Sequence, residues 1–349
     1  MSEVITGTSE YRLTRLLSEG GMGSVYEAVQ HGVEGFHKQV AIKTILEELG
    51  THEEFVNMFI GEAKLVADLV HENIIHVYQL GRTGDMLYIV MEYIDGIDLK
   101  EFIARHHELG KEIPVDFCTF IASRVCRALE YAHHKTDMDG NLLGVVHRDV
   151  SPRNIMITRQ GVVKLGDFGI AKAQHYLANH EGDILMGKAQ YMSPEQADYK
   201  ETDGRSDLFS LGVVFYELLT GEAIFNSDDT MVTLRNVSRA QIPHIKKHKD
   251  DVPDDLAEII MRALQRNPAK RFQSANEMGY ALEYYMYHDR FGPTNVTLEN
   301  YLLEIFPEIV RSVPKKFESP STSMDIGMQA TLIIHDDGTT EVNPGGNDE

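Results

Sequence analysis

Apolar and polar positions alternate on both sides of a glycine cluster near the start of the chain. The runs flanking Leu17-Ser18-Glu19-Gly20-Gly21-Met22-Gly23-Ser24-Val25 read as two strands joined by a tight turn. Val40-Ala41-Ile42-Lys43 reads as a further apolar strand that ends on a charge. The period then lengthens: Phe55, Phe59, Ala63, Val66 and Leu69 recur at helical spacing, on a segment that also carries Glu62. A helix is predicted around Cys118 and Cys126, and a short apolar strand before Asp167-Phe168-Gly169. Further on, Thr297 to Val310 has helical apolar spacing broken at Pro307, and Ala330 to Val342 sets strand-like residues around an Asp-Gly turn.

Several of these elements carry chemistry. The missing side chains of Gly20, Gly21 and Gly23 let backbone N–H groups approach phosphate oxygens, although a glycine cluster alone is equally a plain turn. Lys43 is expensive to half-bury without a partner. Glu62 offers one; the bland alternative is a surface Lys and a solvated helix Glu. Val146-His147-Arg148-Asp149-Val150-Ser151-Pro152-Arg153-Asn154, followed by Asp167, spaces Asp149, Asn154 and Asp167 as phosphoryl transfer requires, because that chemistry rests on positioning and on neutralising phosphate charge.

In this order and number the motifs resemble the eukaryotic-type protein kinase family over roughly residues 11–284, in wording close to its bacterial Ser/Thr branch. Ser193-Pro194-Glu195 stands where the family has Ala-Pro-Glu, the Asp of Asp207-Leu208-Phe209-Ser210-Leu211-Gly212 matches the one that braces the catalytic loop, and Arg271 matches the partner of Glu195. The resemblance implies an α+β, two-lobed kinase fold: a small β-rich N-lobe at about 11–91 and a larger helical C-lobe at about 95–284, with ATP in the cleft between them. Residues 1–10 are then a leader, 285–312 a helical extension docked on the large lobe, and 313–349 an acidic, disordered tail.

The same resemblance assigns roles. Leu17, Ser18, Gly20, Gly21, Gly23, Val25, Ala41, Met91 as gatekeeper, Glu92, Ile94, Asp98 and Met156 surround the nucleotide. Lys43, oriented by Glu62, meets its phosphates; Asn154 and Asp167 hold Mg²⁺; Asp149 takes the acceptor proton. Arg148, Phe168, Gly169, Glu195, Asp207 and Arg271 are structural or regulatory. The implied activity is Ser/Thr phosphorylation of protein substrates in signalling. A pseudokinase scaffold, a Tyr or dual-specificity kinase and a small-molecule phosphotransferase stay as alternatives, and self-association or autophosphorylation of the tail stays open.

Four positions depart from the family pattern. Ser18 replaces the first glycine of the loop, and Arg153 stands where basophilic kinases often carry Glu, which predicts a weak aversion to basic residues before the acceptor, partly offset by Glu217. Ser151 replaces the catalytic-loop Lys, and Lys188 replaces the substrate-loop Thr. Hydroxyl and ammonium thus exchange loops, which would make Ser151 and Lys188 catalytic; the alternative is a solvated Lys188. Between Gly169 and Ser193 there is no Ser or Thr, only Tyr176 and Tyr191. Glu181 or Asp183 is therefore expected to replace a loop phosphate beside Arg148 and Lys172, against the alternative of solvated loop acids.

Composition narrows the picture. A net charge of -21 argues against nucleic acid or an anionic membrane as partner, and it repels ATP too, so Lys43, Lys164, Arg148 and Mg²⁺ have to make a local positive site. Cys118 and Cys126 lie eight apart on one predicted helix, about 12 Å and beyond disulfide reach. No signal peptide or spanning apolar run is found, so a soluble, cytoplasmic protein is expected. No Lys or Arg follows Lys316, and such a tail cannot offset its ordering entropy; its hairpin-like fragment would need a surface to lie on.

Overall fold

The alternation around the glycines forms two long antiparallel strands, β1 (Glu10–Gly20) and β2 (Gly23–His31), closed by the Gly20↔Gly23 pair. The computed structural model describes residues 10–20, 23–45, 56, 60–61, 63–64, 66–83, 86–168, 189–288, 291–308, 330–334 and 340–344. Gly21, Phe55, Phe59, Glu62, Gly169, Lys172, Tyr176, Glu181, Asp183 and Lys188 lie outside these residues.

Strands β3 (His37–Ile45), β4 (Val77–Thr83) and β5 (Met86–Glu92) extend the sheet. Because side chains alternate along a strand, Val40 and Ile42 point into a core with Tyr11, Ala28, Tyr88 and Val90, while Ala41 and Lys43 take the opposite face. The segment before β4 is helical at 60–61, 63–64 and 66–67, and Ala63, Val66 and Leu69 are buried as their spacing predicts.

These strands belong to one of two compact units; residues 69–75 and 94–311 make the other. The second unit holds a three-stranded sheet, β6 (Gly96–Asp98), β7 (Ile155–Thr158) and β8 (Val163–Leu165). Its helices are α1 (Leu99–Leu109), α2 (Val115–His133), α3 (Pro194–Ala197), α4 (Gly204–Thr220), α5 (Thr230–Arg239), α6 (Asp254–Ala263), α7 (Ala275–Tyr287) and α8 (Asn295–Ile305). Helix α4 is apolar almost all round, so it is buried along nearly its whole length, with α2 and α6 packed on it. Cys118 and Cys126 on α2 are buried free thiols, and burial pushes both thiol pKa values up.

Beyond 285, Leu298, Leu302, Ile305 and Phe306 are all buried. Tyr301 lies on His106 of α1 and donates its hydroxyl to Nε2 at 2.7 Å, because Nδ1–H is given to the Phe102 carbonyl, and Phe306 stacks on Phe102. Helix α8 begins two residues before the predicted start because Thr294 and Thr297 cap it reciprocally, and it ends before Pro307, which disfavours helical φ/ψ at Phe306. Gly161, in the turn between β7 and β8 with φ 73, admits this helix: a Cβ there would lie 2.0 Å from the Asn295 carbonyl oxygen. Among the described residues no helix is long and apolar enough to cross a membrane.

Two stretches of the tail are strands, β9 (Ala330–Ile334) and β10 (Thr340–Pro344), paired as a hairpin. The surface they lie on is the outer edge of β1, with Tyr11 opposite Leu332 and Arg12 opposite Thr331. Main-chain pairing to an existing sheet supplies the ordering energy that an isolated hairpin lacks. The resulting seven-stranded sheet runs β10-β9-β1-β2-β3-β5-β4.

Candidate active site

The loop Val146–Asn154 is shaped by one buried carboxylate. Asp207, near the N-terminus of α4 and fully buried, accepts the backbone N–H of His147 at 2.8 Å and of Arg148 at 2.7 Å. His133, at the end of α2, donates Nε2–H to the same carboxylate at 2.8 Å. Burial pushes the Asp207 pKa up, but the hydrogen bond and attraction of His133 and the His147 N–H outweigh it and leave the pKa lowered. Asp207 is therefore ionised in a dry setting, where its field acts on the loop with little screening.

That anchorage sustains strained backbone. Arg148 has φ 63 and Asp167 φ 57, left-handed values that cost a non-glycine residue about 1–3 kcal/mol and persist only where the surroundings hold them. Around Asp149 the network is closed. The His147 ring, 0% exposed, accepts the Asp149 N–H on Nδ1 at 3.2 Å and donates Nε2–H to the Gly166 carbonyl at 2.8 Å, which fixes its tautomer. The buried Phe168 ring stands edge-on to His147 at 4.5 Å, so the catalytic loop and the Asp167-Phe168 segment share one support.

Asn154 completes the loop. Its Nδ2 donates to the Asp149 carbonyl at 2.7 Å, which leaves Oδ1 as the acceptor directed elsewhere, and its own carbonyl accepts the Gly166 N–H at 2.8 Å. Asp167, half-buried, follows Gly166. An amide oxygen and a carboxylate are hard oxygen donors that suit Mg²⁺, which is held by few protein ligands and keeps several waters. Among the described residues there is no cluster of three or more His, Cys, Asp or Glu able to hold a metal.

Glu195 and Arg271 form the expected pair, buried and bidentate at 2.7 Å for each contact. Ser206 adds a third donor to Glu195 at 2.6 Å. The remaining guanidinium N–H groups reach the carbonyls of Gln265, Arg205 and Arg266, so all five donors are used. Burial alone would raise the Glu195 pKa; Arg271 and Ser206 bring it below the ordinary value.

In the first unit, register places Val25 opposite Lys43, Glu27 opposite Ala41, and Ala41 opposite Met91. Leu17 and Ser18 are exposed on β1, and Gly23 has φ 151, a conformation that favours glycine. Glu92 gives its N–H to the His76 carbonyl at 2.8 Å. In the second unit Ile94 is buried, Asp98 lies opposite Met156, and the Asp98 carboxylate caps α1 by accepting the Glu101 N–H at 2.8 Å.

Arg148 donates Nε–H to Thr202 Oγ1 at 3.1 Å, a hydroxyl partner that the spacing did not suggest, while Glu181 and Asp183 lie outside the described residues. The Glu217 carboxylate accepts from Tyr191 at 2.8 Å rather than standing as the counter-charge of the exposed Arg153. Burial leaves the Glu217 pKa raised, and the hydrogen bond from Tyr191 offsets only part of the rise. Ser151 is buried, while Lys188 falls outside the described residues, so their pairing stays an expectation. The reading also missed Gln196, whose Nε2 donates to the Arg148 carbonyl at 2.8 Å. The available signal was the Ser193-x-x-Gln196 capping box at the start of α3.

The protein kinase domain pattern matches residues 11–281. The tyrosine-protein kinase MasK of Myxococcus xanthus is 36% identical over 298 residues, covering 85% of this chain and 46% of the relative. A probable serine/threonine-protein kinase of Clostridium perfringens is 38% identical over 271 residues, covering 77% and 37% respectively. The chain thus spans less than half the length of these relatives. Among solved structures, the Mycobacterium tuberculosis PknI kinase domain matches with TM-score 0.60 and 28% identity, over 78% of this chain and 95% of that one.

Proposed function

Since the chain belongs to the protein kinase domain family, we propose that it transfers the γ-phosphate of ATP to Ser or Thr hydroxyls of proteins, in signalling, with Asp149 taking the acceptor proton. The observation that carries this reading is the bracing of Asp149: His147 on its N–H, Asn154 on its carbonyl, and Asp207 on the N–H groups of the two residues before it. A scaffold that had lost phosphoryl transfer has no need to maintain left-handed strain at Arg148 and Asp167.

Lys43 meets the nucleotide phosphates, and the glycine turn between β1 and β2 offers backbone N–H groups to them. Leu17, Val25, Ala41, Met91, Glu92, Ile94, Asp98 and Met156 receive the nucleoside. Because the Glu92 N–H is taken by His76, that residue serves adenine through its carbonyl. Asn154 Oδ1 and the Asp167 carboxylate hold Mg²⁺, which when bound neutralises phosphate charge. The unpaired buried thiols of Cys118 and Cys126 suit a reducing, cytoplasmic setting.

A second reading, transfer to Tyr, is favoured by the Myxococcus relative's name. Phosphoamino-acid analysis of a generic protein substrate incubated with labelled ATP and Mg²⁺ separates the two. Phosphoserine or phosphothreonine is expected, absent from Lys43→Met and Asp149→Asn; phosphotyrosine alone would establish the second reading, and no transfer at all would reject both.

A further inference from the structure

We propose that Gln196 is a positioning residue for Asp149, acting through the peptide bond that joins it to Arg148. The side-chain amide of Gln196 is 5% exposed on the residue scale and uses both ends. Oε1 accepts the Ser193 N–H and the Ser193 hydroxyl, each at 3.0 Å, and Nε2 donates to the Arg148 carbonyl at 2.8 Å. Reversing the amide would set oxygen against oxygen and nitrogen against two donors, so the network fixes its orientation.

The carbonyl of Arg148 and the N–H of Asp149 belong to one planar peptide unit. Gln196 holds the first and His147 Nδ1 holds the second, so that plane cannot turn without breaking a buried hydrogen bond. Its orientation sets where the Asp149 Cα–Cβ bond points. On the other side of the same residue, Asp207 fixes the Arg148 N–H, and φ 63 lies between the two clamps. The left-handed turn is thus held from both sides, and Gln196 is the clamp adjoining Asp149. Because Gln196 also caps the helix that begins at Ser193-Pro194-Glu195, it ties the end of the substrate-binding segment to the catalytic loop.

The inference rests on Asp149 taking the acceptor proton, and the test separates the two ideas. Gln196→Glu keeps an acceptor for Ser193 but sets a carboxylate oxygen against the Arg148 carbonyl. Gln196→Met, of similar length, removes the donor without adding charge. Ser193→Ala removes the hydroxyl on the capping side and leaves the Nε2 contact intact. Rates on a generic protein substrate with MgATP are divided by the concentration of ATP-binding sites, so lost folded protein does not register as lost kcat.

Both Gln196 variants are expected to lower kcat about 10- to 100-fold, with KM for ATP within about twofold of the parent, while Ser193→Ala mainly raises KM for protein substrate. A kcat within about twofold of the parent in the folded Gln196 variant overturns the proposal, on the same scale. An equal kcat loss in Ser193→Ala also overturns it, because the effect would then come through the short helix. Full activity in Asp149→Asn would remove the premise instead.

Discussion

Glu195 and Asp207 are both buried carboxylates of the larger unit, both ionised, and they are satisfied in opposite ways. Glu195 meets a full cation, Arg271, in a planar two-point contact whose remaining donors are spent on carbonyls of the surrounding chain. Asp207 meets mostly partial charges, two backbone N–H groups, with His133 behind. The first arrangement joins distant segments and has little tolerance for loss, because either charge left alone in a dry interior is costly. The second writes a shape into the backbone at Arg148 without placing another cation beside Asp149.

The sharpest way to break the comparison is Arg271→Leu, which leaves Glu195 buried and unpaired. It should lower unfolding free energy by about 3–5 kcal/mol in urea titration, and a loss below ~1 kcal/mol would place Glu195 with the surface pairs. Asp207→Asn should act on rate more than on stability: the amide still accepts from one N–H but presents a donor to the other. Turnover is expected to fall on the order of 10²-fold with nucleotide binding retained, as for loss of one preorganised electrostatic group.

Acid should remove both anchors, in a defined direction. Both pKa values are lowered from ordinary values of 3.8 for Asp207 and 4.5 for Glu195, so the stability each contributes is present above those values and is lost as pH falls through the folded ones. Unfolding titrations between about pH 5 and pH 2 should therefore show a steep loss in the parent and a shallower one in Asp207→Asn; parallel curves would mean that Asp207 is not linked to folding. The smallest effect is expected for Thr202→Val, which removes a neutral hydroxyl from Arg148 Nε. It should cost about 1 kcal/mol, or roughly fivefold in turnover, and a larger loss would make Thr202 as important to the loop as Asp207.

The contrast also separates what the sequence revealed from what it hid. Asp149 and Asn154 stand at a spacing that phosphoryl transfer itself suggests, whereas Asp207 and the Glu195–Arg271 pair could be named only through the resemblance of their motifs to the kinase family. The contacts of Thr202 and Gln196 with Arg148 were hidden, because a single hydrogen bond across some fifty positions leaves no mark in spacing or charge; the capping box marked Gln196 only as the start of α3. Glu217 was misassigned for a related reason: charge suggested Arg153, whereas burial favoured the neutral Tyr191 hydroxyl. The hairpin of the tail was legible as two strands in need of a surface, but an open edge is a property of the finished sheet and not of the residues that form it.

That hairpin sets an order in time. Leu332 pairs with Tyr11 across more than three hundred residues of sequence, and at about 5–20 residues per second of synthesis β1 precedes the strand that covers it by roughly a quarter of a minute to a minute. Through that interval the outer edge of β1 presents unpaired N–H and C=O groups, open to any extended segment, a neighbouring nascent chain included. Arrival of β9 closes the edge, so the chain is a stickier molecule before that strand is made than after it.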